Sequence, residues 1–379
     1  MKRALVILLA ALCGSVAAAE PPPAADLREE QLRLPVTVQD LFGRRETRTI
    51  TVTTFRPPGD GPFPLLVLNH GRATQDRRAG QGRQRFEPQA RYLVSLGFAV
   101  FVPTRVGYGD TYGAFDPEYP GNCGNMRPAA AAQAASDQVL ATVAHARSLP
   151  WVDASRWVVM GTSLGGFTTL AVAARNPPGL VAAINFAGGH GGRPDSNPGD
   201  SCDQVTLARL WKDQASTARL ATLWLYWQND RYWGADWPQR WVQAWREGGG
   251  QAEFHQLPAA GKDGHAGLAI DMDHWVPIVE AYLARAGFTR SGVVPRPAAT
   301  DFAALDEVDK VPVSPVNRDN LYRRFLAAKA PRAFAIGPRD AVGFASGDWA
   351  LGRALGFCQA RRGAACKLYA VDNDVVWAP

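Results

Sequence analysis

Over residues 32–55, valine, threonine and isoleucine alternate with charged residues, a period-two pattern that predicts an antiparallel hairpin turning near Leu41, Phe42, Gly43 and Arg44. The pattern then changes. Residues 64–68, 98–102, 157–160, 181–186 and 223–227 are dominated by apolar side chains on both parities, as in strands covered on both faces. Helices are expected between them, at residues 86–96, along the alanine-rich stretch 128–148, after Gly165, and at 238–246. Residues 252–257 read as a further strand and 273–286 as a closing helix. Strands alternating with helices predict a mainly parallel sheet flanked by helices, with chemistry at the carboxyl ends of the strands.

Beyond Gly287 the periodicity weakens. The proline-bearing stretch 293–315 reads as a linker, and the remainder offers a helix, a short strand at Phe334, Ala335 and Ile336, a helix over 346–359 and a strand over 366–371. With 379 residues the chain exceeds what one core usually supports, so a second, small C-terminal α+β domain is expected. The anticipated division is 1–19 signal peptide, 20–290 catalytic domain, 291–316 linker and 317–379 small domain of unassigned role.

The signal-peptide reading rests on Lys2 and Arg3, the apolar run 4–12 and the small residues Ala17, Ala18 and Ala19. That run is shorter than the ~20 residues a membrane span needs, and Pro21, Pro22 and Pro23 stop any helix after it. Export to the periplasm or beyond, with no stable membrane insertion after cleavage, is therefore expected. Cleavage removes Cys13 and leaves Cys123, Cys202, Cys358 and Cys366, an even set in an oxidising compartment. Three pairings are open; keeping each bridge within one proposed domain favours Cys123 with Cys202 and Cys358 with Cys366. The net charge of +6 is spread without a long basic run, which argues against a nucleic-acid partner. The six histidines show no metal-ligand spacing, so neither metal nor cofactor is expected.

The chemistry concentrates in Gly161-Thr162-Ser163-Leu164-Gly165-Gly166, placed between an apolar strand and an apolar helix. In that context G-x-S-x-G predicts a sharp turn that lifts the Ser163 hydroxyl above the sheet as a nucleophile. The backbone N–H of Leu164 would face developing negative charge, and the N–H of Arg72, after the first central strand in Asn69-His70-Gly71-Arg72, is the expected second donor. An acid and a base should follow in that order. Asp230 sits in the loop after the strand 221–227, with Asp236 as the alternative, and His265 in Gly264-His265-Ala266-Gly267 precedes the closing helix, with His274 as its rival. His70 reads as a structural histidine, and His190, between two glycines, as a loop residue. Tyr108, Tyr112, Trp224, Trp227, Tyr232, Trp233 and Trp237 are compatible as a group with an apolar or aromatic acyl pocket, capped by the glycine-rich stretch 188–202.

Asn69-His70-Gly71, Arg105-Val106-Gly107-Tyr108-Gly109, the elbow 161–166 and Gly264-His265-Ala266 together resemble the dienelactone hydrolase group of α/β-hydrolases and related exported esterases and prolyl-oligopeptidase-type peptidases. The resemblance spans about residues 36–287. It implies the α/β-hydrolase fold and cleavage of a small-molecule ester, or of a peptide, through an acyl-serine. One departure bears on substrate: dienelactone hydrolases proper use cysteine where this chain has Ser163, which favours carboxylic esters over lactones. Peptidase, acyltransferase and a non-catalytic binding protein on a hydrolase scaffold are the alternatives.

Overall fold

The computed structural model describes residues 22–74, 76–290, 294–347, 349–362 and 365–378. The expected signal peptide lies outside them. The hairpin forms as read, with β1 (Glu30–Gln39) antiparallel to β2 (Arg45–Phe55), followed by β3 (Phe63–Asn69). In β3 the side chains of Leu65, Leu66, Val67 and Leu68 are all fully buried, which is why this strand lacks polar alternation. Next come α1 (Glu87–Ser95), β4 (Ala99–Thr104), α2 (Pro128–Ala146), β5 (Val152–Thr162), α3 (Leu164–Ala174) and β6 (Leu180–Phe186). The series ends with α4 (Gln204–Ala215), β7 (Thr222–Trp227), α5 (Asp236–Glu247), β8 (Ala252–Leu257), α6 (Gly267–Ile270) and α7 (Met272–Arg285).

The eight strands lie in the order β1-β2-β4-β3-β5-β6-β7-β8. Pairings from β4 through β8 are parallel, and only β1–β2 and β2–β4 are antiparallel. Two apolar layers cover the sheet faces. One holds Trp211, Trp224, Trp227, Trp241 and Trp245, the other Trp157, Val139 and Val159. The central place of β5 brings its carboxyl end to the middle of one sheet edge, beside the ends of β3 and β6, where Asn69, Gly161 and Asn185 are in register.

Downstream of α7, the short helical segments α8 (Pro315–Asn317) and α9 (Arg323–Ala327) precede β9 (Arg332–Gly337), β10 (Ala341–Ser346), α10 (Ala350–Arg362), β11 (Lys367–Val371) and β12 (Asp374–Val375). These strands make an antiparallel sheet in the order β10-β9-β11-β12. The expected linker needs correction. Val311 and Val313 are buried in the same apolar cluster as Phe334 and Tyr369, and the Thr300 N–H donates to the Val375 carbonyl at 2.8 Å. Proline there shapes an ordered wrap around the small sheet, because irregular backbone can still bury its valines.

The unit also docks on the larger one. Trp349 belongs to the main core cluster, lies edge-on to Tyr92 with ring centroids 5.5 Å apart, and its backbone N–H donates to Asp273. Bridges join Cys123 to Cys202 and Cys358 to Cys366.

Candidate active site

Ser163 joins β5 to α3 with φ +56° and ψ −122°, a conformation that costs a non-glycine residue roughly 1–3 kcal/mol and persists only where surroundings enforce it. The enforcement is visible at two glycines. A Cβ on Gly165 would stand 2.1 Å from the Asn69 carbonyl oxygen, and one on Gly161 2.4 Å from the Gly165 carbonyl oxygen. Strand and helix therefore cross at contact distance, which only glycine permits. The turn is pinned by the Ser163 N–H donating to Phe186 and by the Gly189 N–H donating to the Ser163 carbonyl.

Asp230 follows β7 and is almost wholly buried. Its Oδ1 accepts the N–H groups of Tyr232 at 2.7 Å and Trp233 at 3.1 Å, and the two carboxylate oxygens lie 3.2 and 3.0 Å from Nδ1 of His265. Nδ1–H is thus the donor, leaving Nε2 with its lone pair. Tyr232 stacks on the imidazole with centroids 3.7 Å apart, and Trp233 meets it edge-on at 5.4 Å. Ser163 and His265 wall one cavity of about 330 Å³, together with Phe86, Ala266 and Leu268.

The rival residues stand elsewhere. Asp236 opens α5, and His274 is exposed and bonded through Nδ1 to Asp271 at 2.5 Å. His70 is fully buried, with Nδ1 toward the Gly71 carbonyl and Nε2 accepting the Arg105 N–H. Burial, with the adjacent Arg105 guanidinium, holds it well below the usual histidine range, in keeping with a neutral, structural ring. Of the aromatic group, Tyr232 and Trp233 face the site; Trp224, Trp227 and Tyr108 are core, and Tyr112 is exposed.

Arg72 and Leu164 both line a second cavity of about 200 Å³ that also reaches Ser163. The Arg72 guanidinium grips Asp116, with Nη2 to Oδ2 at 2.5 Å and Nη1 to Oδ1 at 3.1 Å, while Arg78 takes the same carboxylate. Gln81, absent from the sequence reading, braces the loop: its Nε2 donates to the Gly71 carbonyl and its Oε1 accepts the Ala73 N–H. Asp263 was also missed. Its Oδ1 accepts the N–H groups of Arg231 and His265, each at 3.0 Å. The only signal for either was a polar residue near a motif, and neither contact is local enough to read from spacing.

A mainly parallel sheet with a strained serine at the carboxyl end of its central strand, sharing a cavity with a carboxylate-bound histidine, defines the α/β-hydrolase class. Within that class the chain belongs to the X-Pro dipeptidyl-peptidase family, S15, whose pattern matches residues 47–259, more than half of the sequence. The quorum-quenching protein AidA of Acinetobacter baumannii is 32% identical over 132 residues, which are 35% of this chain and 37% of that protein. The match thus spans little more than a third of that relative. Among solved structures, a Klebsiella pneumoniae chain described as a dienelactone hydrolase is 18% identical, with 68% of this chain and 99% of that one covered at a TM-score of 0.46. The acylaminoacyl peptidase of Pyrococcus horikoshii is 14% identical, with 71% and 43% covered at a TM-score of 0.45.

Proposed function

We propose that the protein is an exported serine hydrolase that cleaves carboxylic esters through an acyl-Ser163 intermediate. The observation that carries this reading is the His265 imidazole, fixed through Nδ1 by Asp230 in a cavity it shares with Ser163. In the first step the Ser163 Oγ forms a bond to the ester carbonyl carbon while its proton passes to Nε2 of His265. Asp230 stabilises the resulting imidazolium. The carbonyl oxygen, now anionic, is met by the N–H groups of Leu164 and Arg72; the Ala73 N–H is already engaged by Gln81. Loss of one such donor typically costs ~3 kcal/mol of transition-state stabilisation. The intermediate then breaks its bond to the leaving oxygen, which takes the proton from Nε2. Water, deprotonated by the same nitrogen, releases the acid and restores the serine.

Two bridges fit a protein that works in an oxidising compartment, and among the described residues no helix is long and apolar enough to cross a membrane. The family match favours a second reading, peptide cleavage by the same residues. The test is hydrolysis of para-nitrophenyl butanoate and labelling by a fluorophosphonate, each with the wild type and Ser163→Ala. Turnover should fall by about 10⁴-fold or more in the variant, and labelling should vanish. A wild type that neither turns over nor labels would overturn the proposal.

A further inference from the structure

Ser163 stands where two cavities meet, and only one of them is lined by His265. That cavity, of about 330 Å³, is bounded by Phe86, Ala266, Leu268 and Ala269. The other, of about 200 Å³, shares Tyr232 with the first but is lined by Leu164, Met126, Pro120, Gly191 and the Cys123–Cys202 bridge in place of His265. The proposed chemistry distinguishes them. The leaving group must receive its proton from Nε2 of His265 and so departs through the cavity that His265 lines. The acyl group, bonded to the same carbonyl carbon, then points the other way, into the smaller cavity.

The walls of that smaller cavity limit what the acyl group can be. An engineered cavity of roughly 150 Å³ holds benzene, so a space of about 200 Å³ fits one ring or a short chain. Among the described residues lining it there is no carboxylate. Of the nearby ones, Asp116 is shared by Arg72 and Arg78, Glu118 is paired with Arg105 with both side chains fully buried, and Asp203 turns an oxygen to the Met126 N–H at 3.4 Å. Of the charged side chains, the Arg72 guanidinium reaches the wall itself. An ammonium group would lose its hydration there beside the Arg72 guanidinium, with no carboxylate in the wall to pair with it.

Resting on the serine-hydrolase reading above, we propose that the substrate's acyl group is compact and carries no ammonium, which excludes acyl-side peptides with a free amino terminus. Released dipeptides are then not the products, although the family's description names an X-Pro dipeptidyl-peptidase. The experiment compares para-nitrophenyl 4-ethylbenzoate with para-nitrophenyl 4-(aminomethyl)benzoate, which match in size and differ in charge. It adds the acetate and decanoate esters, with fluorophosphonate labelling of Ser163 alongside. After correction for spontaneous hydrolysis, kcat/KM for acylation should favour the neutral benzoate by about tenfold or more, and decanoate should fall below it. In Met126→Trp, which fills the cavity, the ratio of 4-ethylbenzoate to acetate should drop by a similar factor; Met126→Ala should raise use of decanoate. Equal or better use of the ammonium ester, with Ser163 still labelled, overturns this inference and leaves the hydrolase reading standing. Unchanged ratios in both Met126 variants overturn the assignment of the cavity. Absence of labelling removes both.

Discussion

At the scale of single residues, Asp263 ties the two loops that carry Asp230 and His265. One carboxylate oxygen accepts the N–H that follows Asp230 and the N–H of His265 itself. Removing it frees both loops at once, and small misplacements of reacting groups are costly. Asp263→Ala should lower kcat by about 10²-fold with KM little changed, whereas Asp263→Asn, whose amide oxygen can still accept both bonds, should recover most of the rate. Steady-state kinetics with one ester decides it: an alanine variant with wild-type kcat makes the clamp dispensable. Asp263 also shows where sequence reading stops. The strained turn at Ser163 was legible because it imposes glycines at fixed offsets, and the contact of Asp230 with His265 because chain order and strand ends locate both. Asp263 is one more polar residue in a turn until the fold brings Arg231 beside it.

At the scale of elements, the segment after β6 is fastened by His190, whose Nε2–H donates to the Glu118 carbonyl at 3.0 Å. Burial, aided by the Arg72 guanidinium and opposed by that hydrogen bond, pushes the ring down from 6.5 to about 4. The unfolded chain therefore binds the proton first as pH falls. Stability linked to this ring is complete above about pH 6.5 and drains away toward pH 4, a loss of roughly 3 kcal/mol. His190→Gln keeps a donor for Glu118 but does not titrate, so its Tm should fall less steeply between those pH values than that of the wild type. Parallel slopes in the two melting profiles would rule the ring out as the cause. Central strands were legible because full burial makes them wholly apolar. Helix α4 was not, since Leu207, Trp211 and Ala215 are its apolar stripe among lysine, aspartate and glutamine. Strand β10 was absorbed into the expected helix over 346–359 and the loop before it, because the alternation of a small-residue strand, Ala-Val-Gly-Phe-Ala-Ser, is faint.

At the scale of the whole molecule, the C-terminal unit is seated on the hydrolase unit through Trp349, Tyr92 and Asp273, with the Arg91 guanidinium over the Phe357 ring. Trp349→Ala should cost about 3 kcal/mol, seen as a Tm lower by several degrees and as faster proteolysis between the two units. A tail that merely trailed from the catalytic unit would leave both measurements unchanged. The sequence supported two units but misjudged their junction, because valines 311 and 313 are buried against partners as distant along the chain as Phe334 and Tyr369 and show no local period.

The wider, histidine-lined cavity has a consequence for the fate of the proposed acyl-enzyme. On the proposed mechanism, once the first product has left, that space of about 330 Å³ is open to any nucleophile small enough to enter, and His265 would deprotonate an alcohol there as it does water. The intermediate is then a branch point, and the partition between hydrolysis and transacylation follows what fills that vestibule. Added short alcohols would be converted to new esters in proportion to their occupancy there, at an unchanged rate of acylation.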